Sequence, residues 1–460
     1  MPETSRETRN SRWESFAIPL VSLAILIGVG SLQSRFTEDI STRPVDLLSS
    51  LRTSASMVDS SKVIAALQDS VETLARLDTA KAQQDRVQKL LQDSAGIVPI
   101  EDPKALQKAF ESLRDGKGTR IAWFGDSFIE GDILVQDVRE ILQKVFGGKG
   151  VGFVPVTSVT AQFRQSVHHT YSDDWKEMSL LSKHLDQPLG ISGHIFFPVI
   201  SQDSSEVSWL DLQAASRSGS TSFDRVKVLY TASKDSNASV VCKGTRRALV
   251  RTPGLHLAEF SMPGATRAHI DFRTSDSLVV HGVSLEGDTA GVLVDNFSFR
   301  GNSGMGLLRI PTGVLRQTDQ QLGGYRLVVL EYGTNVTDAS MAGFAWYGKK
   351  MIEVVSHLRQ GFPDAAFLLI GVGDRGTRTA EGIVSNPAVA KILEAQRQAA
   401  KLSGCAFWDL REAMGGENSM GAWARAGLAS EDYTHISPGG GRRLGKAFAK
   451  AFLKAWETVR

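Results

Sequence analysis

Ile121-Ala122-Trp123-Phe124 is a short apolar run ending at Gly125-Asp126-Ser127, and its chemical complement, Asp432-Tyr433-Thr434-His435, stands about 300 residues downstream. A run of that length and character reads as a buried parallel strand. Gly125 breaks it and leaves Ser127 on the turn at the strand's carboxyl end, where open α/β sheets place their chemistry. A serine hydroxyl is a poor nucleophile until a base removes its proton, and that base needs a third group to fix its tautomer. Asp432 and His435 are close enough within one turn for carboxylate and imidazole to meet. A fold that uses all three residues must bring the end of the globular region back to a strand near its start. Ser127, His435 and Asp432 are the candidate nucleophile, base and orienter.

Two further blocks lie between these. Leu327-Val328-Val329-Leu330-Glu331 is another buried-strand run and leads into Tyr332-Gly333-Thr334-Asn335, while Arg300-Gly301-Asn302-Ser303-Gly304 precedes it. A bare Gly-Asp-Ser occurs by chance in many chains. The four blocks together, in this order, resemble the SGNH (GDSL-type) hydrolases and acyltransferases. The resemblance implies acyl transfer from Ser127 with His435 and Asp432, and no cofactor or metal. It also implies three oxyanion donors: the Ser127 backbone N–H, the Gly301 N–H and the Asn335 side chain. A tetrahedral oxyanion needs donors already aimed at it, each worth on the order of 3 kcal/mol. Gly304 and Gly306 stand close to Gly301, and any of the three can simply serve a tight turn. Asn335 can instead cap the segment after its strand. Asp126 reads as a turn-shaping residue. Glu130 and Asp132 follow the serine closely, and Asp132 is placed to cap a helical stripe of Ile133, Leu134, Val138, Ile141, Leu142 and Val145.

With 460 residues and 42% apolar content, the chain can bury more than one core, so two or three domains are expected. Formal charge is +2 and no basic stripe interleaved with aromatics is present, which argues against a nucleic-acid partner. Cys242 and Cys405 lack metal or redox spacing and read as small buried hydrophobes. The nine histidines form no recognisable metal cluster, and the adjacent pair His168-His169 should point apart on a strand.

Residues 15–35 read as a transmembrane signal anchor after a cytoplasmic tail, 1–14. The uncharged, mostly apolar Ser15–Leu32 is at the lower edge of a span, and Arg6, Arg9 and Arg12 precede it. A cleaved signal peptide is the alternative. Residues 36–100 read as a solvated helical stem, with a broken heptad at Ile64, Leu67, Val71 and Leu74 that partly returns at Val87, Leu90 and Leu91. The first catalytic segment is 101–155. Its opening helix is capped at Asp102-Pro103, buries Leu106, Phe110 and Leu113, and stops at Gly116.

From 156 to 300 the texture changes to short alternating runs between turn residues, such as Val226–Tyr230, Ser239–Val241, Ala268–Phe272 and Gly291–Val294. An interruption of ~145 residues is too long for a connection and should be a domain, an all-β sandwich. This layout is similar to peptidoglycan O-acetylesterases of the SGNH family, where a carbohydrate-binding-module-like sandwich interrupts the catalytic domain. Tyr171, Trp175, Trp209 and Tyr230 can stack on sugar rings or fill a core. Residues 301–460 complete the catalytic domain by alternating strands and helices, with Asp374 at a strand end and Ser437-Pro438 capping a last helix of Leu444, Phe448, Phe452 and Ala455.

The expected architecture is an α/β, three-layer α/β/α SGNH-type parallel sheet with an inserted all-β sandwich and an N-terminal membrane helix. The expected function is an exported, membrane-anchored esterase removing O-acetyl groups from an envelope glycan, with its catalytic domain in the periplasm or outside the cell. One alternative is acetyl transfer to a polysaccharide hydroxyl by the same triad. Another is a non-catalytic glycan-binding protein. Oligomeric state is open.

Overall fold

The structure, a computed structural model, describes residues 60–92, 96–201, 207–215, 221–234, 237–338, 340–380 and 382–459. The chain divides into two units, residues 1–78 and 79–460. In the first, the described residues are the opening turns of helix α1 (Ser60–Leu91), whose described side chains there, Val71 included, are exposed. The side chains of Ile64, Leu67 and Leu74 lie outside the described residues, as does the segment 15–35 expected to span a membrane. Among the described residues no helix is long and apolar enough to cross a membrane.

In the second unit the end of α1 carries Val87 and Leu91 into a hydrophobic core, so the solvated stem expected to run to residue 100 ends earlier. The physical reason is the returning apolar spacing, which gives that last stretch one buried face. Six strands follow: β1 (Ile100–Glu101), β2 (Thr119–Gly125), β3 (Val292–Ser298), β4 (Tyr325–Glu331), β5 (Ala366–Ile370) and β6 (Ala406–Trp408). They form one sheet in the order β1-β6-β5-β4-β2-β3. Every pairing is parallel except that of β1 with β6.

Helices α2 (Gln107–Asp115), α3 (Val135–Phe146), α4 (Thr312–Gln321), α5 (Ala345–Gly361), α6 (Ala388–Leu402), α7 (Leu410–Met414), α8 (Ser419–Arg425) and α9 (Pro438–Thr458) cover its two faces. The pleat of β2 explains the layering, because successive side chains point to opposite faces. Ile121 and Trp123 pack with α2, α3 and α9, and Trp123 meets Phe448 edge-on at 4.9 Å. Ala122 and Phe124 pack with α4, α5 and α6 in a second core. Truncating one such buried aromatic typically costs about 3–5 kcal/mol. At the helix ends, Gly116 takes the left-handed conformation that stops α2, and Ser437 Oγ accepts from the Gly440 N–H at 3.2 Å to start α9. Asp102 makes no side-chain cap bond; it sits at φ 47° before the turn Pro103–Leu106 that leads into α2.

The interruption is a sandwich of two antiparallel sheets. One runs Thr245–Ala248, Ser239–Cys242, Arg267–Arg273, Ser208–Ala214, Val167–Tyr171, and the other His256–Ala265, Phe223–Ala232, Leu278–Glu286, His194–Phe197, Lys176–Ser179. Between them lies a third core around Phe196, Leu212, Val228, Ile270 and Phe272. Its boundaries differ from 156 and 300. Gly152–Val154 already pairs with Leu278–Glu286. At the other end, Val292–Ser298 is not a sandwich strand but β3 of the central sheet. The reason is visible at Asp295, whose carboxylate is buried against Arg120 of β2 at 2.6 Å. Arg120 also reaches Glu286 at 2.6 Å and Ser284 at 2.8 Å, joining sheet to sandwich. Such buried pairs add little net stability, but removing one partner strands the other charge.

His168 is exposed and His169 buried, as alternation on a strand requires. Burial pushes the Cys242 and Cys405 thiols up to about 11 and about 12. Tyr230 is core and Trp175 packs edge-on to Phe272, whereas Trp209 stacks on His269 at 5.6 Å.

Candidate active site

The turn carrying Ser127 begins where β2 ends. Gly125 is required there, because a Cβ would lie 2.7 Å from the Ile129 side chain and 3.1 Å from the Glu331 carbonyl oxygen. Ser127 opens the short turn Ser127–Asp132, and Asp126 Oδ1 accepts from the Phe128 N–H at 3.0 Å. Gly125 is the register partner of both Ser298 and Glu331, so the loops after β2, β3 and β4 leave the sheet side by side.

His435 arrives from the opposite end of the chain. Its Nε2 stands 2.8 Å from Ser127 Oγ, and its Nδ1 stands 2.6 Å from Asp432 Oδ2. A carboxylate only accepts, so Nδ1 carries the hydrogen and the neutral ring presents its Nε2 lone pair to the Ser127 O–H. Asp432 Oδ1 accepts from the Thr434 N–H at 2.8 Å, the His435 N–H at 3.0 Å and Ser430 Oγ at 2.6 Å. Partial burial raises the Asp432 carboxyl, but the bonds from His435, Ser430 and Thr434 outweigh it and hold it well below the usual carboxylate range. Ser127 and His435 are both half-buried, within reach of solvent.

Gly301 lies on the loop after β3 at φ 75°, a left-handed conformation that favours glycine, and a Cβ there would meet open space. Among the described residues neither the Ser127 nor the Gly301 backbone N–H is engaged by an acceptor. Gly304 contacts Tyr332 and Met351, and Gly306 abuts Asn302, so both serve packing of the loop. Asn335 follows β4, and its Nδ2 donates to Asp126 Oδ2 at 3.1 Å and to the Asn302 carbonyl at 3.0 Å. Its amide hydrogens are therefore both engaged in this resting arrangement.

Asp132 does not cap a helix. It sits at φ 65°, and its carboxylate takes a fork from Arg139 at 2.7 and 3.1 Å and a bond from Asn296 at 3.1 Å. Burial would raise this carboxyl, yet Arg139 and Arg164 hold it below its ordinary value. Helix α3 starts later, at Val135, because the turn bearing Ser127 continues to Asp132. Glu130 is buried and pairs with Arg300, fastening the serine turn to the Gly301 loop. Asp374 is buried under α8, accepting from Ser385 and the Met420 N–H.

Glu331 carries no sequence signal beyond ending an apolar strand, yet it lies buried beneath the site. Trp123 Nε1 donates to it at 3.3 Å. Burial, with the nearby Asp126 charge, pushes Glu331 up to about 8, and burial pushes Asp126 up to about 7 against its hydrogen bonds and His435. Both carboxyls bind protons more tightly folded than unfolded, so stability is present below the unfolded carboxylate range and falls as pH rises toward about 8. His169 and His281, pushed down by burial to about 4, act in the opposite sense but complete most of their change below pH ~7. Between about pH 7 and 9 the protein is expected to lose about 1–2 kcal/mol. Glu331→Gln should remove most of that loss in thermal melts at the two pH values; a variant as pH-sensitive as wild type refutes this.

The fold is an α/β/α sheet interrupted by a β-sandwich, with Ser127, His435 and Asp432 brought together at the end of β2. No family profile matches the sequence, and no curated protein matches it either. A solved structure of a peptidoglycan O-acetylesterase matches 77% of this chain and 96% of its own, at 22% identity and TM-score 0.64. A lipase/acylhydrolase from Enterococcus faecalis covers 36% of this chain and 77% of its own, at 16% identity and TM-score 0.27. A family two carbohydrate esterase from Cellvibrio japonicus covers 52% and 88%, at 11% identity and TM-score 0.21. The likeness to the peptidoglycan O-acetylesterase establishes the shared fold.

Proposed function

We propose that the protein is a serine esterase that removes O-acetyl groups from a cell-envelope glycan. One observation carries the reading: Ser127 Oγ, His435 and Asp432 form a hydrogen-bonded line at 2.8 and 2.6 Å, and among the described residues the Ser127 and Gly301 N–H groups are unengaged. Ser127 Oγ attacks the ester carbonyl carbon while His435 Nε2 takes the hydroxyl proton. The oxyanion is held by the Ser127 and Gly301 N–H groups, and by Asn335 once it turns one hydrogen from its resting acceptors. His435 returns the proton to the departing sugar oxygen, leaving acetyl on Oγ. Water, deprotonated by His435, attacks the acetyl-enzyme; acetate leaves and Ser127 is restored.

The half-open position of Ser127 and His435 favours water as acceptor over a second sugar hydroxyl, because transfer requires water to be kept out. The matched solved protein's substrate, peptidoglycan, points to an envelope polymer, in keeping with export behind the apolar segment at 15–35. Purified protein incubated with O-acetylated peptidoglycan should release free acetate at the same rate with or without added acceptor glycan. Acetate appearing on the acceptor instead would establish the transferase, and no acetate from either would remove both readings.

A further inference from the structure

We propose that Arg375 and Arg378 form an anion-binding rim on the hairpin packed between the Asn335 loop and the His435 turn, and that the acetylated glycan is an acidic one bearing carboxylates. The inference rests on the hydrolytic reading above and names its substrate class.

Beyond β5 the chain enters a hairpin, Gly376–Thr379 paired with Gly382–Ser385. This hairpin is fastened to the turn that carries the base. The Gly376 N–H donates to the Tyr433 carbonyl at 2.8 Å, and a Cβ on Gly376 would lie 2.8 Å from Tyr433 Cβ. Arg375 reaches the other way, to the Thr334 carbonyl at 3.3 Å and to Thr337 Oγ1, on the loop of Asn335. It therefore links the Asn335 loop to the His435 turn. Arg378 is exposed, with its guanidinium 5.7 Å from the Tyr433 ring centroid and Nη2 3.5 Å from Tyr433 Oη. Tyr433 stands between Asp432 and His435 in the chain, so this guanidinium rests on a side chain of the turn that carries both.

Neither guanidinium has a carboxylate within salt-bridge distance among the described residues. Elsewhere around the site arginine and carboxylate are matched: Arg300 with Glu130, Arg139 with Asp132, and Arg411 near Asp374 at 3.7 Å. Asp432 is committed to His435. Arg378 is thus left with its guanidinium unpaired by any described carboxylate, and Arg375 with only neutral partners, on the hairpin that packs against the His435 turn. Their geometry matches a carboxylate, and stacking on Tyr433 holds Arg378 in place. A neutral polymer would offer these groups nothing better than water.

The test uses the full chain with chemically acetylated polygalacturonate and its carboxyl-reduced counterpart, matched for acetyl content. p-Nitrophenyl acetate serves as a neutral probe of Ser127-dependent hydrolysis. Wild type should act on the acidic polymer about tenfold more efficiently in kcat/KM, an advantage that shrinks as salt rises from about 0.05 to 0.5 M. Arg378→Ala should raise KM for the acidic polymer about tenfold with kcat little changed, and Arg378→Lys should keep part of the preference. Binding of both polymers to Ser127→Ala gives the same comparison without turnover. Equal efficiency and equal binding on the two polymers, with Ser127-dependent hydrolysis of the neutral probe intact, would overturn the rim alone. An Arg378→Ala that keeps the full preference would do so too. A wild type that hydrolyses nothing would overturn the esterase, and with it this inference.

Discussion

Ser127→Ala is expected to lower kcat for p-nitrophenyl acetate by a factor of about 10⁴–10⁶, the range seen when a serine hydrolase loses its nucleophile. The geometry makes the loss near-total, because among the described residues no second hydroxyl is hydrogen-bonded to His435 Nε2. What remains is the small catalysis that oxyanion donors and binding supply alone. The fold should survive. Ser127 is half-buried, and among the described residues its side chain makes a single hydrogen bond, to a ring nitrogen that solvent can reach. A change within about 0.5 kcal/mol is typical of such a site, so the melting temperature should move by no more than a few degrees. Progress curves and thermal melts of the two proteins check both halves. A variant that folds and keeps a tenth of the activity would mean that another group attacks the ester, and the whole mechanism would have to be redrawn.

The parts of this molecule that were legible in the sequence share one property: they are local. Ile121–Phe124 and Leu327–Leu330 announce buried strands because every side chain in them is apolar. Ser437-Pro438 announces α9 because capping is settled within a few residues. Asp432 and His435 were readable together because three residues of spacing already limit where the carboxylate can go. Even the sandwich was visible, as a change in texture.

What was not legible depends on partners distant in sequence. Val292–Ser298 is a short apolar run broken by Asp295 and Asn296, as brief as the strands before it, so nothing local distinguishes a sandwich strand from β3. Its assignment rests on Arg120 and Tyr325, which bind Asp295 from other strands at 2.6 Å each. Asp132 looks like a cap because caps are the commonest use of an aspartate before a helix. Arg139, seven residues on, claims it instead. The Asn335 amide hydrogens were free in the sequence and are engaged in the fold, by a carbonyl and a carboxylate on two other loops. Glu331 shows the same limit most sharply, since its raised proton affinity comes from burial and from Asp126, neither of which a linear reading reveals.

Asp432→Asn is expected to cost about 10³–10⁴ in kcat although it removes no volume and no backbone contact. The reason lies in how the two carboxylate oxygens are used. Oδ1 accepts from three donors, the Thr434 and His435 N–H groups and Ser430 Oγ. An asparagine must therefore keep its oxygen at that position. Its NH₂ then takes the place of Oδ2 and faces His435 Nδ1, which has to become an acceptor. The ring hydrogen moves to Nε2 and points at Ser127 Oγ, so the neutral imidazole no longer offers the serine a lone pair. The turn itself keeps all three bonds to Oδ1, and the melting temperature should stay within a few degrees of wild type. Asp432→Ala differs, because it loses the turn bonds as well and should lower both activity and stability. Comparing kcat and melting temperature across the two variants separates tautomer control from simple bracing of the loop. If Asp432→Asn keeps more than a tenth of wild-type kcat, Asp432 serves only to shape the turn, and His435 holds its working tautomer by some other means.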